Sequence, residues 1–194
     1  MKPWTVLLSG LVMLTIAAPW LHAEQKLDRV DIRLSVPEGW VEAPDMAAAA
    51  LSATRGNGDA LDASTQCFSH PAKVPIALGV FIRSKQSASS DTRQELGDFH
   101  ASMKQALEKG GATFSKFEMS ESAARLTSTF EAQQGQVKMV GVAVAAIRAD
   151  GKLLGWSVEC LYLADKPADA RACAKVLSTF QVVHPDTDLR LLKK

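Results

Sequence analysis

Cysteine is scarce in this chain. Three in 194 residues are too few for a disulfide-dense scaffold or a four-thiolate zinc site. No charge of one sign dominates: Lys and Arg number 22 against 21 Asp and Glu, a net charge of +1. That balance excludes a polybasic nucleic-acid binder and an acidic solvating tail. Beyond the N-terminal segment no apolar run is long enough to span a bilayer. There is no Gly-x-Ser-x-Gly elbow, no Ser-x-x-Lys at a helix start with its usual companions, and no internal repeat. What remains is a 47% apolar and 22% charged composition, that of a folded globular chain rather than a disordered one.

The N-terminus carries a targeting pattern. Lys2 supplies a positive start, Trp4–Ala18 is apolar apart from Thr, Ser and one Gly, and Leu21-His22-Ala23 ends in a small residue. This is the grammar of a secretory signal peptide over residues 1–23, cleaved after Ala23. The uncharged run is short of the roughly 20 residues that a membrane-spanning helix needs. Residues 24–184 are then expected as one domain and 185–194 as a polar tail. With the leader removed the basic and acidic residues are equal in number. The expected compartment is the periplasm, with no stable membrane insertion and no nucleic-acid partner.

Local patterns set out the domain. Val30, Ile32 and Leu34 alternate with polar residues, the period of a half-buried strand. Pro37-Glu38-Gly39 is a turn, with Trp40-Val41-Glu42 extended after it. Pro44–Thr54 reads as a short helix and Arg55–Asp59 as a loop. Val74–Arg83 is a strongly apolar strand, followed by a polar loop over Ser84–Ser90. Asp91 opens the main helix, with Gln94 three residues on as a capping box. Leu96, Phe99, Met103 and Leu107 recur at helical spacing until Gly110-Gly111 stops it.

Four strands follow, over Ala112–Met119, Ala124–Glu131, Gln136–Arg148 and Leu153–Leu163. The third is apolar on both faces and is placed centrally in the sheet. Asp150-Gly151 signals a two-residue hairpin, Gln134-Gly135 a weaker one. A helix over Pro167–Thr179 and a short strand over Phe180–Val183 complete the chain. Hairpin connections dominate, so the expected class is α+β, a mainly antiparallel sheet covered by helices.

This layout resembles the PsbP-like fold superfamily, whose bacterial exported members include DcrB-like proteins. The resemblance rests on the opening strand running into Val36-Pro37-Glu38-Gly39-Trp40, on the long helix after a polar loop, on the meander, and on the closing Val176-Leu177-Ser178-Thr179-Phe180. It implies an α/β/α sandwich and a binding or accessory role, and it carries no common catalytic set and no cofactor. The expected partner is a protein of the cell envelope. The alternatives are a carrier of a small apolar ligand and, behind it, a hydrolase-type enzyme.

The candidate site residues follow from their types. In an exported protein cysteines can pair. Cys160 shares a strand face with Trp156 and Val158, and Cys173 lies on the apolar stripe of the last helix. A Cys160–Cys173 bridge is therefore expected, although Cys67 could take either partner. Cys67 and His70 have a Cys-x-x-His spacing, but two ligands do not make a metal site. Asn57, Asp59 and Asp62 could offer oxygens from one loop, short of the six to eight that calcium takes. His100, on a helix flank, reads as a boundary residue and His184 as near an exposed end. An enzyme would need His70, His100 or His184 to meet a carboxylate or Cys67. Trp40 and Trp156 read as core anchors, Trp40 alternatively as the lip of an apolar groove. Lys85, Ser87 and Ser89, in the polar loop, complete with Trp40 the region where a ligand or partner would be met.

Overall fold

The computed structural model describes residues 25–29, 31–55, 62–70 and 77–192. The expected leader, Val30, the Gly-Asn-Gly-Asp loop with Asn57 and Asp59, and the start of the strand expected from Val74 lie outside the described residues. The strands are β1 (Gln25–Arg29), β2 (Ile32–Val36), β3 (Val41–Glu42), β4 (Asp62–Ser69), β5 (Ala77–Gln86), β6 (Thr113–Glu121), β7 (Arg125–Gln134), β8 (Val137–Ile147), β9 (Lys152–Leu163) and β10 (Gln181–Val182). The helices are α1 (Pro44–Arg55), α2 (Thr92–Lys109) and α3 (Pro167–Ser178). A seven-stranded sheet runs β3-β4-β5-β9-β8-β7-β6, every pairing antiparallel, and a small sheet runs β1-β2-β10. The class is α+β with a mainly antiparallel sheet, as the hairpin-rich pattern predicts.

Alternation of side chains along each strand gives the large sheet two different faces. One face presents Leu78, Val80, Val144, Leu154, Trp156, Val158 and Cys160, which pack with Ile32, Leu34 and Val36 of the small sheet and with Cys173 and Val176 of α3. The other presents Leu126, Phe130, Met139, Ala143, Ala145, Ile147 and Leu153. There α2 lays down Leu96, Met103 and Leu107, with Phe99 partly buried beside them. Helix α1 lies against β4.

The ends of α2 show how local chemistry sets an element. The Asp91 side chain accepts from the Gln94 backbone N–H at 3.0 Å, as a capping residue should. The reciprocal half of the expected capping box differs: the Asp91 N–H is taken by the Ser89 hydroxyl at 3.0 Å rather than by the Gln94 side chain. At the other end Gly111 adopts φ +99°. Gly111 N–H donates to the Glu108 carbonyl and Ala112 N–H to that of Leu107, which makes a Schellman stop.

Several expectations are corrected. Strand β4 has no counterpart in the sequence reading: Asp62–Ser69 lacks a clear apolar alternation, and among its described side chains only Cys67 and Phe68 are buried. It is held by ladders, eight pairs to β5 and two to β3. Asp62 thus opens a strand instead of lying in a solvated loop with Asn57 and Asp59. Likewise β1 is defined by five pairs with β2. Strand β5 runs on through Lys85 and Gln86, because these pair with Leu153 and Lys152. Strand β8 is interior, yet the middle place belongs to β9. The Asp150-Gly151 hairpin is a three-residue loop: Arg148 N–H donates to the Lys152 carbonyl, and Gly151 has φ +88°, the left-handed residue such loops require. In the segment expected as a polar tail, Leu189 and Leu192 are buried, and Leu192 N–H donates to the Ala123 carbonyl at 2.8 Å.

Candidate functional site

Cys160 and Cys173 form a disulfide with Cα atoms 5.6 Å apart. The bridge fastens α3 to the middle strand of the sheet. Cys67 is left as a buried free thiol. Burial, with the neighbouring Glu159 charge adding to it, pushes that thiol up to about 12, so at neutral pH it is neither a thiolate nucleophile nor a ready metal ligand. Its Cys-x-x-His neighbour His70 stands edge-on to Trp40, ring centroids 6.5 Å apart. Among the described residues no three His, Cys, Asp or Glu side chains gather as a metal site would require.

The four residues expected as a partner region are not brought together. Trp40 is buried in the core with Phe68 and Leu78, where its turn places it: Trp40 N–H closes onto the Pro37 carbonyl, and Gly39 supplies the positive φ of +83° that a type II turn demands. Lys85 sits at the far end of β5, seven positions on from Leu78, a span of roughly 23 Å. Ser87 and Ser89 are spent on internal bonds. Ser87 N–H donates to the Gly151 carbonyl, the Ser87 hydroxyl to the Ser89 carbonyl, and Ser89 N–H to the Glu95 carboxylate at 3.1 Å. The loop is therefore a fastener between β5, the β8–β9 hairpin and α2.

Two histidines differ from their expected places. His100 is fully buried rather than at a boundary. Its Nε2 lies 3.0 Å from the Leu126 carbonyl and its Nδ1 2.9 Å from the Ser128 hydroxyl. A carbonyl only accepts, so Nε2 carries the proton and Nδ1 accepts from Ser128. Burial lowers its pKa below the usual imidazole value, and the Leu126 hydrogen bond offsets part of that. This is a satisfied structural histidine. His184 is not near an exposed end in chemical terms: its Nδ1 meets Asp31 Oδ1 at 2.9 Å, with side-chain exposures of 11% and 25%. Its ring lies against Trp156 at 5.8 Å. Arg125 donates to the His184 and Val182 carbonyls and pairs with Asp186.

The Asp31–His184 pair is an imidazole–carboxylate arrangement of the kind an acid–base site would want, and sequence reasoning missed it because the residues are 153 positions apart. Its Nε2, however, is buried with no hydrogen-bond partner, as are Trp156 Nε1 and Arg125 Nε. Among the described residues no hydroxyl or thiol is hydrogen-bonded to the imidazole, and the pair joins the small sheet to the C-terminal segment.

A second buried polar group lies on the opposite face. Glu159, in the middle strand, has Gly79 and Gly141 as its cross-strand neighbours. The rings of Phe81 and Phe130 lean over those two glycines, within 2.7 Å and 2.3 Å of where a Cβ would stand. Burial raises the Glu159 pKa, and Arg83 counters it only in part, so the carboxyl is held toward its neutral form.

An open concavity lies elsewhere, at the end of the sheet where β6 begins. It has a volume of about 420 Å³. Thr113, Gln133, Lys138 and Tyr162 cross the sheet in one row, since Thr113 pairs with Gln133 and Lys138 with Tyr162. Ser115 and Glu131 stand beside that row, while Phe114 and Met139, in the adjoining row, turn their side chains to the opposite face with Phe130. Burial, then the Glu131 charge, raises the Tyr162 pKa, which keeps its hydroxyl a neutral donor. No signal in the sequence marks this groove, because it takes one to three residues from each of four strands. Compared with known proteins, the chain matches no family model and no curated relative.

Proposed function

We propose that this chain is a non-catalytic exported binding protein whose groove takes a segment of an envelope protein. The observation that carries the reading is the composition of that groove: Thr113, Ser115, Gln133 and Tyr162 as neutral hydrogen-bonding groups, with Lys138 and Glu131 as charges of both signs. A polypeptide offers the complement, amide donors and acceptors at regular spacing with mixed side chains. The Cys160–Cys173 disulfide fits an oxidising compartment such as the periplasm, and the resemblance to PsbP-like proteins favours an accessory role. Against the apolar carrier, the seam between α2 and the sheet is occupied by Leu96, Met103, Leu107, Phe130 and Met139. Against the enzyme, the Asp31–His184 pair has no hydroxyl or thiol bonded to its imidazole among the described residues.

The test is site-specific photo-crosslinking of the full chain expressed in its own host. A crosslinking residue at Gln133 is expected to capture a discrete protein species, while the same residue at Asp45 on α1 does not. Charge reversal at Lys138 is expected to abolish the capture. Equal capture from both positions would overturn the reading. So would a native mass spectrum of the purified protein in which a few hundred daltons, and no protein partner, are lost on denaturation.

A further inference from the structure

Strand β6 ends the seven-stranded sheet, so one side of its backbone has no partner strand among the described residues. A nine-residue edge of this kind offers N–H and C=O groups to another strand. Its side chains are arranged unevenly. On the face shared with Phe130 it carries Phe117 and Met119, and Met119 is 56% exposed, one of three exposed large hydrophobic side chains among the described residues. On the other face Lys116 and Glu118 stand 3.2 Å apart, both exposed.

We propose that this edge pairs antiparallel with the same edge of a second copy, about a two-fold axis perpendicular to the sheet and passing at Phe117. Such an axis makes like faces of the two sheets continuous, so each possible register is centred on one residue. A centre at Lys116 sets two lysines directly opposite each other, and a centre at Glu118 sets two glutamates so. A centre at Met119 places Phe117 against Glu121 of the partner subunit. Only the centre at Phe117 sets Lys116 against the partner subunit's Glu118, twice by symmetry. Unlike charges opposite each other favour a register and like charges oppose it. The same register joins the two Phe117 rings and covers Met119, which then lies across from Ser115 of the partner subunit. The register shift at Phe114/Lys116 is a bulge that ends the regular ladder beyond Ser115. The contact is therefore short, and the dimer depends on concentration.

The edge adjoins the groove at Ser115, and its test reads a different quantity from the crosslinking at Gln133. Sedimentation of the mature protein from about 1 µM to about 1 mM covers the range of a weak contact. The wild type is expected to pass from monomer to dimer across it. Lys116→Glu alone and Glu118→Lys alone are each expected to weaken dimerisation by about tenfold or more. An equimolar mixture of the two variants is expected to form a heterodimer, and the double variant to dimerise with itself as the wild type does. Both positions are exposed, and circular dichroism checks that each variant is folded. A wild type that stays monomeric throughout overturns the proposal. So does a dimer that both single reversals leave unchanged, or a mixture of the two that fails to associate.

Discussion

His184 Nδ1 lies 2.9 Å from Asp31 Oδ1 although the two residues are 153 positions apart. The bond closes the small sheet onto the segment that follows β10, where Val183 N–H also donates to the Asp31 carbonyl at 2.8 Å. A part-buried charge-assisted hydrogen bond of this kind contributes about 1–3 kcal/mol. Asp31→Ala and His184→Ala are each expected to lower stability by that amount. A double-mutant cycle in urea should show coupling, since either change alone removes the same contact. Strictly additive losses would place the stabilisation elsewhere.

The Cys160–Cys173 bridge spans a sequence separation of 13, for which the chain-entropy description gives roughly 3 kcal/mol. The paired substitution to Ala, or a reductant, is expected to lower the unfolding midpoint by a corresponding amount, read by thermal denaturation. Cys67 should behave oppositely in labelling. With its thiol pushed up to about 12, a thiol reagent at pH 8 is expected to modify it only as the protein unfolds. Rapid labelling of native protein would contradict its buried place in β4.

Two buried groups make stability depend on pH with opposite signs. The Glu159 pKa is raised from 4.5, chiefly by burial, so above pH 4.5 the native state holds more protons than the unfolded one and stability falls as pH rises. The His100 pKa is lowered from 6.5, again chiefly by burial. Below pH 6.5 the unfolded chain holds more protons, and stability falls as pH falls. Glu159→Gln is expected to flatten the alkaline side of a stability–pH curve, and His100→Gln the acid side at some cost in absolute stability. A curve unchanged in shape by either substitution would refute the assignment.

Gly141 and Gly155 lie under aromatic rings on the face covered by α2. A Cβ at Gly141 would stand 2.3 Å from the Phe130 ring, and one at Gly155 2.4 Å from that of Phe99. Each Gly→Ala change must displace a packed ring, which costs about 1–3 kcal/mol. In the Gly141→Ala background, Phe130→Leu is expected to recover part of the loss, as measured by urea midpoints. Gly97, with open space where its Cβ would be, should gain slightly from substitution by Ala.

Elements whose signal is local are legible in the residues alone. The cap at Asp91, the 3.6-residue spacing through Leu107 and the glycine stop define α2 to within a residue. Apolar runs bounded by turn signals mark β5, β8 and β9 as strands of the large sheet, and the faces of Cys160 and Cys173 point to their bridge. What only the tertiary structure decided are the relations that local pattern does not encode. Strand β4 is held by backbone ladders, which any side chains can join, so its polar sequence carried no periodic mark. The Asp31–His184 bond, the enclosure of Glu159 between two glycines and two rings, and the groove from Thr113 to Tyr162 each depend on strands meeting in one particular order. Trp40 and the Ser87–Ser89 loop have residue types suited to a binding region, yet packing and internal hydrogen bonds use them up. Residue type states which interactions a side chain can make, and the arrangement of the strands states which of them it does make.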